Sequence, residues 1–235
     1  MLQIERQFRK ALTDFHLLAD GDHILVALSG GKDSLLMLEL LAKRSRIFKP
    51  RFQVSAVHVR MENIPYETDT SYIEAFCSEL NVPLHIITTS FDATNDKRKQ
   101  PCFLCAWNRR KSMFKLAQEL GCNKIALGHH QDDLLCTALM NLTFEGHFTT
   151  MPVMMKMKKM PLTIIRPLAL CKEADIKTLA EEKGYMKQRR LCPYEQTTNR
   201  TRMAQLYRHI EELNPEARYS IWHALEADGQ LIKTE

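Results

Sequence analysis

The stretch Ser29-Gly30-Gly31-Lys32-Asp33-Ser34 constrains this chain more than any other. It follows an apolar run, Ile24-Leu25-Val26-Ala27-Leu28, and opens a second one, Leu35-Leu36-Met37-Leu38-Glu39-Leu40-Leu41. A strand that turns through glycines into a helix presents backbone N–H groups, and the positive end of a helix dipole, to an anion. Gly30 and Gly31 permit positive φ and close approach of a phosphate, while Ser29 and Ser34 add hydroxyl donors. The phosphate loop of kinases and GTPases is a different pattern. It needs a glycine five residues before the Gly-Lys pair and Ser or Thr after the lysine. Those two positions hold Val26 and Asp33.

The rest of the chain alternates strand and helix patterns. Ile4, Phe8, Leu12 and Phe15 recur at helical spacing, so a helix precedes the first strand, with packing as its expected role. Further strands are predicted at 52–59, 84–88, 124–127 and 162–166, and helices at 68–80, 113–120, 132–144 and 171–183. Residues 92–100 are polar and basic and read as a loop. The methionine- and lysine-rich stretch 151–160 reads as a flexible or hairpin-like excursion. From about Thr197 the pattern is two helices broken at Pro215. Mostly uniformly apolar strands alternating with helices imply an α/β fold: a Rossmann-like, parallel, five-stranded sheet with helices on both faces, plus C-terminal helices. The expected divisions are an N-terminal helix (1–20), a loop-bearing domain that includes a C-x2-C segment (21–185), and a cysteine-bearing loop with helices (186–235). In such sheets ligands sit outside the carboxyl ends of the strands. Ser29–Ser34, His58 and Gly128–Asp133 all fall at such ends.

A chain of 235 residues, 45% hydrophobic and 26% charged, can bury a substantial core and has an ordinary globular composition. No apolar run approaches a membrane span, and the N-terminus lacks a signal-peptide core, so no membrane partner and a cytoplasmic location are expected. A formal net charge of +5 is compatible with nucleic acid without requiring it. Seven cysteines in such a chain are not read as a disulfide framework; a close pair points to metal, cluster or redox chemistry.

Cys102 and Cys105 form that pair, at the start of a helix pattern. Their spacing suits one metal, one cluster or a cycling dithiol. Cys77, Cys122, Cys136 and Cys171 lie in or beside apolar helical surfaces and read as core. In Gly128-His129-His130-Gln131-Asp132-Asp133, carboxylates at a helix N-terminus can complement its dipole, hold magnesium with phosphate, or act as base or orienting group. Capping by Asp132 is the simpler reading; a two-histidine zinc site is the other option, an awkward one because adjacent histidines diverge around a helix or strand instead of facing one ion. Trp107 suits either base stacking or core packing.

Ser29–Ser34 matches the signature of the PP-loop ATP pyrophosphatases. Together with Pro101–Arg110, Leu127–Leu142 and Arg166–Ile176, it makes the chain resemble the TtcA family of tRNA-thiolating enzymes, the 2-thiocytidine branch. The likeness runs from about Asp22 to Cys192. It implies a HUP-type fold and an ATP-dependent tRNA sulfurtransferase that adenylates the C2 oxygen of cytidine and replaces it with sulfur, releasing AMP and pyrophosphate. It also implies a [4Fe-4S] cluster on three cysteines. Cys102 and Cys105 match the first two, and Cys192 is the only cysteine in the region of the third. Relatives often carry a C-x2-C-G there, where this chain has Pro193-Tyr194-Glu195 after Cys192. The resemblance places nucleotide at Leu28–Ser34, with Lys32 on the polyphosphate, Asp33 or Asp133 helping to place Mg2+, and His58 and Gly128 beside the adenosine. Arg109 would link cluster to phosphate. The implied partners are tRNA and a sulfur donor carrying sulfide or persulfide. An exposed N-terminal helix would permit a homodimer. The rivals are another PP-loop reaction (a different thiolated base, or lysidine-type synthesis) and a non-catalytic nucleotide- or metal-binding module.

Overall fold

In the computed structural model residues 1–66, 69–91, 101–188 and 199–234 are described, and they fall into two units. The first takes in the described residues of Leu18–Gly128 together with 177–188. Its strands are β1 (His23–Ala27), β2 (Gln53–Met61), β3 (Leu84–Thr89) and β4 (Lys124–Ala126). They lie in the order β3-β2-β1-β4, and every pair is parallel. Ile24 of β1 stands between Val54 and Lys124, and Val26 between Ala56 and Ala126. Centrality explains the apolar runs: Ile24, Leu25 and Val26 are wholly buried, whereas β3 is half exposed along its length.

Three helices, α2 (Lys32–Ser45), α3 (Ser71–Glu79) and α4 (Pro101–Glu119), connect these strands in succession. Crossovers between parallel strands are right-handed. The steps β1 to β2 to β3 march one way, so α2 and α3 cover one face; the step to β4 returns past β1 and puts α4 on the other. The reversal between β1 and β4 is the switch point at which such sheets bind ligands. The loop predicted from sequence begins there.

Helix α2 is buried from Ser34 through Ala42, including the charged Glu39. Glu39 accepts hydrogen bonds from Lys183 (2.6 Å) and from the Tyr185 hydroxyl, and pairs with Lys43 at 2.6 Å. Burial disfavours its charge, but the bonds from Lys183, Lys43 and Tyr185 prevail and bring its pKa from 4.5 down to about 2. Tyr185 also meets Phe76 edge-on, with ring centroids 5.6 Å apart. The returning segment 183–188 is thereby fixed to α2.

The second unit contains Met1–Leu17, His129–Ile176 and the described residues from 199 onward. Helix α1 (Leu2–Asp14) buries Ile4, Phe8, Ala11 and Leu12, the predicted packing stripe. Next come α5 (Gln131–Glu145), β5 (Met154–Lys156), β6 (Thr163–Ile165) and α6 (Glu173–Glu182), whose first residues belong here and whose last belong to the loop-bearing unit. Helices α7 (Asn199–Leu213) and α8 (Ala217–Ala227), separated around Pro215, and β7 (Ile232–Lys233) complete it. The methionine- and lysine-rich stretch is one arm of a hairpin, Met154 pairing with Ile165 and Lys156 with Thr163, antiparallel. β7 joins β5 in parallel. Seven strands are therefore described where five were expected, and the fifth expected strand, β6, has an antiparallel neighbour. The two additions are three and two residues long, too short for an alternation to register. No described helix is long and apolar enough to cross a membrane.

Removing the Glu39 carboxylate strands Lys183 and the Tyr185 hydroxyl. Glu39→Ala should cost about 2 kcal/mol in denaturant unfolding. Because the folded pKa lies below the unfolded one, the carboxylate's stabilisation is complete above pH 4.5 and disappears as pH falls toward 2. The stability gap between wild type and Glu39→Gln should shrink across that window.

Candidate functional site

At the end of β1 the chain turns through Gly30, at φ +79°, into α2, whose N-cap is Gly31. The two serines stitch the turn internally. The Ser29 N–H donates to Ser34 Oγ at 3.2 Å, and the two hydroxyl oxygens are 3.1 Å apart. Ser34 Oγ donates to the Gly31 carbonyl at 2.9 Å, and the Gly31 N–H reaches Ser29 Oγ at 3.3 Å. No side chain caps α2, so its first turn keeps its dipole for an incoming anion. Lys32 Nζ lies 3.1 Å from Asp33 Oδ1, placing a cation and a carboxylate together at the helix start.

Two glycines owe their identity to close approach. A Cβ on Gly128, beyond β4, would meet the Ser34 nitrogen at 3.2 Å and the Asp33 carbonyl carbon at 3.3 Å. A Cβ on Gly30 would lie 2.6 Å from the Cβ of Gln188, whose N–H donates to the Gly30 carbonyl at 3.0 Å. Gln188 thus seats the returning segment on the loop. No motif in the sequence announces this contact. Cys192, four residues further on, lies outside the described residues, so its expected ligand role has no structural counterpart here.

His58 is buried on β2, and its Nδ1 lies 2.7 Å from the Leu28 carbonyl. Burial pushes its pKa down; the bond to Leu28 resists, and Arg109 and Arg60 add to the lowering. The ring is therefore neutral, Nδ1–H donating and Nε2 a buried acceptor without a partner among the described residues. Strand alternation points it to the opposite face from Val57 and Val59. Those two valines line a cavity of about 120 Å³ together with Ala27, Leu28, Ser29, Arg109, Arg110 and Met113. His58 secures the start of the loop from behind, while the cavity opens on the α4 side.

Helix α4 joins the cavity to the cysteines. Arg109 donates to the Val59 carbonyl at 2.9 Å and lies 3.4 Å from the Tyr66 hydroxyl, which itself accepts from the Met61 N–H at 3.1 Å. The helix begins at Pro101, so the pair lies in its first turn, and a spacing of three puts both thiols on one face. Cys102 is exposed; Cys105 is half-buried against the apolar group of Met61, Ile64 and Phe91. The other described cysteines behave differently. Burial pushes Cys77, Cys122 and Cys136 up to about 11 and Cys171 to about 12, leaving protonated, inert thiols as expected of core residues.

In the second unit the carboxylates divide their work. Asp132 accepts from Arg218 at 2.6 Å and from the Glu173 N–H at 2.8 Å. Burial opposes its ionisation, yet these bonds hold its pKa below the ordinary value. Arg218 also donates to Glu211 at 3.0 Å and to Gln131 at 3.0 Å. Asp132 is therefore a structural anion. The N-cap of α5 is instead His130, and Asp133, at the third helical position, closes the capping box by accepting the His130 N–H at 3.1 Å, with Arg200 at 3.8 Å. His129 Nδ1 accepts from Arg166 at 3.2 Å; burial, and next Arg166, push its pKa down to about 4. Neither histidine belongs to a metal-binding group among the described residues.

The loop geometry has a direct test. Gly30→Ala would force a side chain into the left-handed region, at about 1–2 kcal/mol, and displace Gln188 as well. Thermal unfolding should show a loss of about 2 kcal/mol, while Gly21→Ala, open at its Cβ position, should lose only the backbone share.

Comparison with known proteins agrees with this geometry. The PP-loop domain family matches residues 1–208. The tRNA-cytidine(32) 2-sulfurtransferase of Sorangium cellulosum is 35% identical over 95% of this chain and 80% of its own, and that of Geobacter sulfurreducens 34% identical over 95% and 88%. The Shewanella oneidensis enzyme of the same name is 34% identical over 78% of this chain, which spans only 60% of it. Among solved structures, the U34-tRNA thiolase NcsA from Methanococcus maripaludis with its [4Fe-4S] cluster superposes with a TM-score of 0.76 at 27% identity, covering 96% of this chain and 77% of that one. From the loop at the switch point to the cysteine pair on α4, the chain belongs to the PP-loop domain family, within its tRNA-cytidine(32) 2-sulfurtransferase branch.

Proposed function

We propose that this protein is an ATP-dependent tRNA sulfurtransferase that converts a cytidine of tRNA to 2-thiocytidine. One observation carries the reading: α4 supplies both a wall of the cavity beside the loop and the cysteine pair. Arg109 and Met113 face Leu28 and Ser29, and Cys102 and Cys105 open the same helix. From Cys105 to Arg109 is about one helical turn, about 6 Å of rise. Nucleotide activation and sulfur chemistry are thus held on one rigid element.

ATP suits the loop side. The apolar cavity takes the adenine, and the uncapped first turn of α2 receives phosphate. Lys32 neutralises the departing pyrophosphate, and Asp33 or Asp133 places Mg2+. The cytidine C2 oxygen attacks the α-phosphorus and displaces pyrophosphate, which converts a poor leaving group into AMP. Arg109, anchored on Val59, keeps its Nε buried without a partner among the described residues, a donor suited to the charge developing on the phosphate.

The cysteine pair suits a cluster. Two thiols share one helical face, one exposed and one on an apolar bed, which is a donor set for soft metals. Cys102 and Cys105, with Cys192 as third donor, would hold a [4Fe-4S] cluster, which supplies an iron lacking a protein ligand where external sulfur can be held. The half-buried setting of Cys105 limits water at that position. Sulfide provides the sulfur directly, or a persulfide does so once an external thiol reduces it and ends as the disulfide; the sulfur bonds to C2 and the C2–O bond breaks as AMP leaves. Such a reaction belongs in the cytoplasm.

Nucleoside mass spectrometry on tRNA from a strain lacking this protein should show loss of 2-thiocytidine. Wild type should restore it; Cys102→Ala and Asp133→Ala should leave it at least 100-fold down. The likeness to a U34-tRNA thiolase favours one other substrate, so loss of a 2-thiouridine with 2-thiocytidine intact would move the reaction to uridine. Protein purified without oxygen should contain iron and acid-labile sulfide. Stoichiometric zinc without iron would overturn the cluster.

A further inference from the structure

Helix α4 buries Met113 and Ala117 but turns Phe103 and Trp107 outward. Phe103 is 47% exposed and Trp107 48%. With Lys111 they form a row at successive spacings of four, which stacks side chains along one helical face. Cys102, Ala106 and Arg110 are exposed beside them. Lys111 Nζ lies 5.2 Å from the Trp107 ring centre, a cation over an aromatic face. The helix carries no acidic residue before Glu119 at its far end. Two broad aromatic surfaces on a helix whose exposed charges before Glu119 are cations select an occupant that is both flat and anionic. An unpaired nucleotide has that chemistry: a base to stack and a phosphate to pair.

We propose that Trp107, with Phe103 alongside, is the platform on which an unpaired base of the tRNA stacks, at the cysteine-bearing end of α4. The proposal rests on the sulfurtransferase reading and adds to it the face that receives the RNA. A base stacked on the indole takes the place of Lys111, whose ammonium is released to an adjacent phosphate, with Arg110 contacting the next. Trp107 is then a positioning residue that holds the strand against the cysteines and takes no part in nucleotide activation.

Fluorescence isolates the residue. The chain has two tryptophans, and Trp222 packs edge-on with Phe15, a contact that Trp222→Phe preserves as an aromatic pair. In that variant Trp107 is the only indole. The probes are a tRNA transcript, single-stranded oligocytidylate, a blunt RNA duplex and poly-glutamate. Quenching is expected with tRNA and oligocytidylate, little with duplex and none with poly-glutamate. In the otherwise native chain, Trp107→Ala should weaken tRNA binding about tenfold, Trp107→Phe should restore most of it, and Lys111→Ala should make binding less steeply salt-dependent. ATP binding and helical circular dichroism should be unchanged in all three variants. If the native chain binds no tRNA, the sulfurtransferase reading falls and the platform with it. If it binds tRNA and Trp107→Ala binds equally well, the platform alone is overturned. Quenching by poly-glutamate as strong as by RNA would overturn it too, and mark α4 as a docking face for an acidic protein.

Discussion

Gly128 lies so close to the first turn of α2 that a methyl group there would crowd its backbone at 3.2–3.3 Å. That contact brings the end of β4 against the helix that starts after β1, closing the back of the switch-point crevice and leaving its front to a ligand. Parallel pairing of β1 with both β2 and β4 brings the elements together, and right-handed crossovers decide which helix covers which side. The glycine pair, the serine stitching and the His58–Leu28 bond then shape a backbone whose donors and dipole face outward. Chemistry at this end of the sheet depends on that shape before it depends on any one side chain.

Electrostatics separates groups that build from groups that can react. Glu39 and Arg218 are buried and Asp132 half-buried; all three are engaged by partners within the fold, which shift their pKa values. The core cysteines are held protonated by burial, whereas Cys102 is in solvent and Cys105 only half covered. Among the described cysteines, the accessible thiols thus lie at one helix end. His58 stays neutral beside the loop, its Nδ1–H given to the Leu28 carbonyl and its Nε2 without a partner among the described residues.

Local pattern made much of this legible. The anion-binding turn, the two apolar runs around it, the alternation of strand and helix and the C-x2-C pair each lie within a short window, and each rests on one periodicity or one motif. Features requiring distant residues were not readable. The Gln188 contact on Gly30 and the anchoring of Tyr185 and Lys183 on Glu39 join residues far apart, and a single sequence has no signal for such pairs. Asp132 and Asp133 are indistinguishable in sequence; only Arg218 and the Glu173 amide show which is structural. Trp107 read equally as core or contact until its exposure was known. The short β5 and β7 fell below the length at which alternation means anything.

The bond from Lys183 to Glu39 spans 144 residues. A ribosome delivers the loop, both cysteines of the pair and the whole of α2 well before it delivers Lys183 and Tyr185. Among the described residues that precede Lys183, Lys43 on the same helix is the partner Glu39 has against the cost of burial. Residues 183–188 supply both the second counter-charge and the residue that seats on Gly30. The contacts that fix the anion-binding turn thus come from a part of the chain made late, whereas its signature motif is made early.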